Sequence, residues 1–184
     1  MEDTRGGNGE PRPRRGPRSQ APNSGPGRAR RAQPQQSSGN DDGAAPQIPP
    51  EIEAKQLAPE IRRELSTLDR ATADAIARHL VAAGELIDED PEAALSHARA
   101  ARARSGRIAA VREAVGIAAY QCGDWAQALA ELRAARRMGS KSPLLPLIVD
   151  CERGLGRAER ALELARGPEA AQLSGDEADE LRIV

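Results

Sequence analysis

Aromatic residues are almost missing from this chain of 184 residues, which contains no Phe, one Trp and one Tyr. A folded core must therefore be built from Leu, Ile, Val and Ala, so that helices can approach closely while each contact stays modest. Long apolar runs are missing too. No stretch approaches the roughly 20 apolar residues that a membrane-spanning helix needs, and none follows the N-terminus as in a secretory signal. These absences predict a soluble, cytoplasmic protein that does not associate with membranes.

Cysteine and histidine are equally scarce. Cys122 and Cys151 occupy apolar helical positions, which predicts buried, reduced thiols. His79 and His97 have no His, Cys or carboxylate at the i+4 spacing of a helical metal site. We find no arrangement of residues typical of catalysis, cofactor binding or metal ligation, and we expect a protein that is not an enzyme and has no cofactor.

The first 50 residues lack large aliphatic side chains apart from Met1 and Ile48, and they hold 9 of the 14 prolines and 8 of the 17 glycines. Such a segment cannot bury enough apolar surface to offset a backbone ordering cost of roughly 1–2 kcal/mol per residue. We therefore predict a disordered arm over residues 1–50.

Charge is divided between this arm and the rest of the chain. Residues 51–184 carry 19 basic and 23 acidic residues. A basic arm on an acidic body suggests an alternative function, an RNA- or ribosome-associated protein. The arm has no aromatic side chain on which a base could stack, and Arg outnumbers Lys 25 to 2 over the chain, as GC-rich coding produces. The seven arginines between positions 11 and 40, where no acid occurs, are Arg12, Arg14, Arg15, Arg18, Arg28, Arg30 and Arg31.

The stretch from 114 to 135 contains two helical patterns joined by a tight turn. Gly123 ends the first helix, and Asp124 is a good N-cap for a second helix, to which Gln127 can return a hydrogen bond. Two helices joined by so short a turn must pack antiparallel. The first helix has an apolar stripe with helical spacing, formed by Ile108, Val111, Val115, Ala118 and Cys122.

The same pattern recurs at a period of about 34 residues. Upstream, Asp90 and Pro91 form an N-cap and a first-turn proline ahead of Ala94, which lies 34 residues before Ala128. Downstream, Ala161 lies 33 residues after Ala128. Three units in register predict a repeat protein.

The order of residues resembles the tetratricopeptide repeat, a helix-turn-helix unit, as found in bacterial proteins from GC-rich genomes. Ala119 and Leu132 stand where the family usually has Tyr and an aromatic residue. The resemblance covers roughly residues 70–184 and implies an all-α, right-handed solenoid of about three helix pairs, the last repeat being incomplete. The matching residues are Gly116, Gly123, Asp124, Trp125, Ala128, Leu132, Ala135 and Pro143.

The remaining elements follow from the same signals. A lead-in over residues 51–69 contains a short helix, and the folded part is expected to begin near Pro59. Ser142 and Pro143 are predicted to cap and open the first helix of the third repeat. A terminal helix from 176 to 184 ends in apolar residues with no following helix to cover them, which predicts weak self-association.

The resemblance implies a scaffold that binds a peptide or helix of a partner protein on the concave face, which is formed by the first helix of each pair. The partner's identity does not follow from the sequence. The positions of this chain that fall on that face and are predicted to contact the partner are His79, Glu113, Ile117, Tyr120, Gln121, Asp150 and Arg153.

Overall fold

The computed structural model describes residues 45–183, in which all regular structure is helical and no strand occurs. The all-α prediction is confirmed for this part of the chain. Most of the predicted arm, including the seven arginines between positions 11 and 40, lies outside the described residues. The α-helices are α1 (Pro59–Leu65), α2 (Arg70–Leu86), α3 (Pro91–Arg104), α4 (Ala109–Gln121), α5 (Trp125–Arg137), α6 (Leu145–Gly154), α7 (Ala158–Ala165) and α8 (Asp176–Ile183).

From α2 to α7, each helix packs against the next one along the chain. The turns that join α2 to α3, α4 to α5 and α6 to α7 are short, so the two helices of each pair lie antiparallel. Helix α1 contacts both α2 and α4, and α8 contacts α6. The predicted stripe on α4 is confirmed: Val111, Val115 and Ala118 are almost fully buried.

Two predicted N-caps are confirmed by side-chain hydrogen bonds. The Asp90 carboxylate accepts from the backbone N–H of Ala93 at 3.0 Å, and that of Asp124 accepts from Gln127 N–H at 3.0 Å. The sequence predicted that the Gln127 side chain returns a hydrogen bond to the cap residue, and this is not observed. Its oxygen accepts from the Arg99 guanidinium of α3 instead. A charged donor from a neighbouring helix thus replaces the local contact.

The predicted start of the third pair at Ser142 and Pro143 is wrong. Helix α6 begins at Leu145, with Pro146 in its first turn and no side-chain cap. The Ser142 hydroxyl donates to the Glu113 carboxylate of α4 at 2.6 Å. Because a hydrogen bond to an ionised carboxylate is stronger than one to a neutral group, Ser142 links the loop before α6 to α4 and does not cap a helix.

Apolar packing begins before Pro59, earlier than predicted. Ile52 and Leu57 are buried and Ile48 is half-buried, all in the cluster that includes the apolar side of α2. The Arg78 side chain of α2 also donates to the backbone oxygen of Ile52 at 2.9 Å. The lead-in is therefore attached to the helical body by both apolar and polar contacts.

Two buried carboxylates link successive helices through arginine. Glu131 on α5 is 5 % exposed and Glu152 on α6 is 1 % exposed, and each accepts from two guanidinium groups. Removing both arginines from either carboxylate would leave an uncompensated buried charge, which is destabilising. The arginines are Arg102 and Arg112 for Glu131, and Arg133 and Arg157 for Glu152.

The terminal helix that was predicted after Gly175 is present as α8. Its Leu181 side chain is half-buried against a cluster that contains Leu145 and Val149 of α6. The side chain of Ile183 and all of Val184 lie outside the described residues, so self-association through this helix stays a prediction.

Helices α4 and α5 make their closest approach at Gly116. A Cβ atom at this position would lie 2.7 Å from the Cγ and Cδ2 atoms of Leu132, inside any normal van der Waals contact. Leu132 is itself fully buried and cannot move aside freely. The contact between α4 and α5 therefore requires a residue without a side chain at position 116.

We expect Gly116→Ala to destabilise the protein by about 1–3 kcal/mol, because its methyl group overpacks the α4–α5 contact. The matched control is Gly84→Ala on α2, where no atom lies within 4 Å of an added Cβ. That change should stabilise the protein by about 0.5–1 kcal/mol through helix propensity. Urea unfolding of both variants measures the difference; equal shifts of the same sign would contradict the packing described.

Candidate functional site

A groove of about 360 Å³ opens between α1, α2 and α4. We call it the α2–α4 groove. One wall is formed by the lead-in residue Leu57 and by Ile61 of α1. The floor consists of small and aliphatic side chains, which are Leu80, Ala83 and Gly84 of α2, Ile87 directly after α2, and Ala110, Ala114, Ile117 and Ala118 of α4.

Three carboxylates surround this floor, Glu60 and Glu64 on α1 and Glu113 on α4. Glu113 accepts hydrogen bonds from the hydroxyls of Ser140 and Ser142 at 2.7 and 2.6 Å. Glu64 accepts from a backbone N–H in the first turn of α4 at 3.2 Å, where a negative charge is favourable next to the helix dipole. This contact holds α1 across the groove.

Of the residues predicted to contact a partner, Glu113 and Ile117 line the α2–α4 groove. Gln121 is exposed at the last position of α4. The remaining four residues do not line the groove. Tyr120, Asp150 and Arg153 lie together, and His79 lies apart from them.

Tyr120, Asp150 and Arg153 form a network that joins α4 to α6. The Tyr120 hydroxyl donates to Asp150 Oδ2 at 2.5 Å, and Arg153 Nε donates to Asp150 Oδ1 at 2.9 Å. The Tyr120 ring packs edge-on against Trp125, with ring centroids 5.3 Å apart. Trp125 in turn covers Gly154, where an added Cβ would lie 2.8 Å from the indole. These side chains hold two helices together, and Asp150 is buried among them.

Protonation in this network follows from its contacts. Burial, together with the hydrogen bond to Asp150, raises the pKa of Tyr120 to about 12. Burial alone would raise the pKa of Asp150, but hydrogen bonds from Tyr120 and Arg153 outweigh it and hold that pKa below its usual value. At neutral pH a protonated phenol therefore faces an ionised carboxylate.

His79 lies away from the groove, contrary to its predicted place on the concave face. Its side chain is 1 % exposed and its Nδ1 lies 3.0 Å from Nδ1 of His97 on α3. A partner has no access to it there. Burial, reinforced by the charge of Arg104, lowers the pKa of His79 to about 4, and burial also lowers the pKa of His97. The sequence gives no sign of this pair, because its members are 18 residues apart on facing helices.

The cysteines remain separate thiols, Cys122 half-buried and Cys151 buried. Burial raises the pKa of Cys151 to about 11 and also raises that of Cys122. Both therefore stay protonated at neutral pH, and a thiol is a far weaker nucleophile than a thiolate. Within residues 45–183, no group of three or more His, Cys, Asp and Glu side chains is arranged to hold a metal ion. In the same part of the chain, no helix has the length and apolarity needed to cross a bilayer.

No protein-family model, no curated protein and no solved structure matches the chain significantly. The resemblance to the tetratricopeptide repeat thus stays a prediction from residue spacing.

The histidine pair makes the fold sensitive to acid. The folded pKa of His79, about 4, lies below its unfolded value of about 6.5, so the unfolded chain binds more protons between these values. The stability contributed by the neutral ring is complete above about pH 6.5 and is lost as the pH falls towards 4. We expect His79→Asn to lose less stability over this range than the unaltered protein, as measured by urea unfolding at pH 7, 6, 5 and 4.5. Parallel curves would contradict the assignment, since the carboxylates titrate in both proteins.

Tyr120→Phe should destabilise the protein by about 1.5–3 kcal/mol, the range for hydrogen bonds to charged groups, because Asp150 loses a donor. A double-mutant cycle with Asp150→Asn should give a coupling energy within the range of about 0.5–3 kcal/mol that is typical of residues in contact. Thermal unfolding of the four proteins measures it. Additive effects would show that the hydroxyl does not contribute through Asp150.

Proposed function

We propose that this protein is a non-enzymatic, cytoplasmic interaction module that binds a peptide or helix of a partner protein in the α2–α4 groove. The observation that carries the proposal is the groove itself, an apolar floor on two adjacent helices with charged groups at its margin. Sites of this composition bind a ligand by burying its apolar surface, and a few polar groups fix the orientation of that ligand. Helix-in-groove recognition uses the same combination.

We also propose that the three helix pairs are tetratricopeptide-like repeats in a right-handed solenoid with a concave face on α2, α4 and α6. Two observations support it. The groove is lined by α2 and α4, which are the first helices of two successive pairs. Moreover, Gly123 and Gly156, the residues that follow the first helices of the second and third pairs, both have positive φ, 71° and 75°, which is the helix-ending conformation that glycine favours.

On this reading, Glu113 and Ile117 are the central contacts to the partner. Gln121 on α4 and Arg153 on α6 are exposed and add polar contacts, whereas the buried Asp150 contributes by holding Arg153. Tyr120 contributes chiefly by holding α4 and α6 in place.

The alternative function, binding to RNA or the ribosome, depends on the seven arginines of residues 11–40. Such binding would be electrostatic and would weaken steeply with salt. It makes different demands on the chain, since it needs the arginines and does not need the groove.

We expect Ile117→Asp to abolish capture of the partner by the immobilised 184-residue protein. An apolar side chain of the partner would then have to bury an unpaired charge on the groove floor, which is energetically unfavourable. The matched control is Leu162→Asp on α7, whose side chain is 51 % exposed; it should capture the same partner. A third variant, with the seven arginines replaced by Ser, should also capture it, with and without nuclease.

The opposite pattern would replace this proposal with the alternative function. In that case capture survives Ile117→Asp but is lost when the arginines are replaced or the sample is treated with nuclease. Unchanged circular dichroism of all three variants is required for either conclusion.

A further inference from the structure

The α2–α4 groove has carboxylates but no cations. Among the described residues, no Lys or Arg lines it. The donors that reach Glu64 and Glu113 are uncharged, a backbone N–H and two serine hydroxyls. Within residues 45–183, neither these carboxylates nor Glu60 takes part in an ion pair. The groove therefore presents three negative charges and acceptor sites that are still open, since a carboxylate can accept about four hydrogen bonds.

The groove carboxylates Glu60 and Glu64 are exposed and Glu113 is half-buried, whereas the fully buried carboxylates elsewhere in the described chain are paired with arginine. Glu131 and Glu152 each bind two arginines, and Asp150 binds Arg153. The chain has 25 arginines with which to neutralise such groups. Within the described residues, no Lys or Arg is placed to pair with the carboxylates of the groove.

We infer that the partner segment for the α2–α4 groove is both cationic and apolar, an inference that rests on the proposed function. One or two large aliphatic side chains of the partner pack on the groove floor, against Leu80, Ile87 and Ile117. An Arg or Lys within about one helical turn of them binds the surrounding carboxylates. Hydrogen bonds between ionised groups are roughly twice as strong as neutral ones, and an apolar floor that excludes water strengthens the attraction. An acidic segment would instead be repelled by the same carboxylates.

The arm of this chain meets only half of that requirement. Residues 1–50 supply arginine, but their large apolar side chains are limited to Met1 and Ile48. Ile48 is already packed in the cluster on α2. A separate protein with aliphatic and basic residues in one segment matches both halves of the groove.

A random 12-residue peptide library displayed on phage tests the inference directly. The library is selected on the immobilised 184-residue protein, after depletion on the Ile117→Asp variant. We expect the enriched peptides to combine large aliphatic residues with Lys or Arg at i+3 or i+4 and to carry net positive charge. Synthetic copies are then titrated against the unaltered protein and against the triple variant Glu60→Gln, Glu64→Gln and Glu113→Gln, in which their affinity should fall at least ~10-fold.

A second triple variant controls for net charge. Asp74→Asn, Glu92→Gln and Glu159→Gln remove three exposed carboxylates that form no ion pair within the described chain and do not line the groove. Peptide affinity for this protein should stay within about twofold of the unaltered value. Thermal unfolding of both triple variants shows that each is folded. In Glu113→Gln the amide oxygen can accept from one serine hydroxyl, and the amide NH2 group can donate to the other.

Three results would overturn the inference, and they differ in what they leave standing. Enriched peptides that need Ile117 but are neutral or acidic would refute the cationic partner and leave the proposed function intact. Enrichment that never depends on Ile117 would refute the proposed function as well. A gain in affinity of at least ~10-fold when the seven arginines between positions 11 and 40 are replaced by Ser would identify the arm as the occupant.

Discussion

Close approach of helix backbones is the constraint on which this structure depends. With so few aromatic side chains, the core cannot be filled by large rings and must be closed by bringing helices together through Gly and Ala. At Gly116 an added Cβ would meet Leu132, so this contact between α4 and α5 has no room for a side chain. Because interiors are close-packed, a pair that meets through small residues has little freedom to slide or rotate. Helix α4, one side of the groove, is thereby held against α5.

Arginine supplies what the small side chains cannot. A helix face made of Ala buries little area, and each apolar contact between pairs is correspondingly weak. The guanidinium groups that reach Glu131 and Glu152 span the distance between helices and add directional bonds. Their aliphatic stems also cover apolar surface. Ion pairs thus link the helices around Glu131 and Glu152, whereas within residues 45–183 the carboxylates of the α2–α4 groove form none.

Local signals in the sequence predicted most of the helices, and non-local contacts explain the errors. Asp90 and Asp124 cap helices through bonds to residues three positions away, so their role can be read from spacing alone. Ser142 looked like the same signal, but its hydroxyl is bound by Glu113, 29 residues distant. His79 was misplaced for a similar reason, since its partner lies across a turn. The α1 wall of the groove was also missed, because nothing in a seven-residue helix indicates which helices it will cover.

The order of contacts along the chain has a consequence for how it folds. From α2 to α7, each helix packs mainly on its neighbours in sequence, and contacts such as α2 with α4 skip only one element. A chain with such short contact separations has low contact order, so each step of assembly closes a short loop and sacrifices little chain entropy. Proteins of this kind fold on the microsecond-to-millisecond scale. The molecule can therefore gain its core one helix at a time, without first bringing distant ends of the chain together.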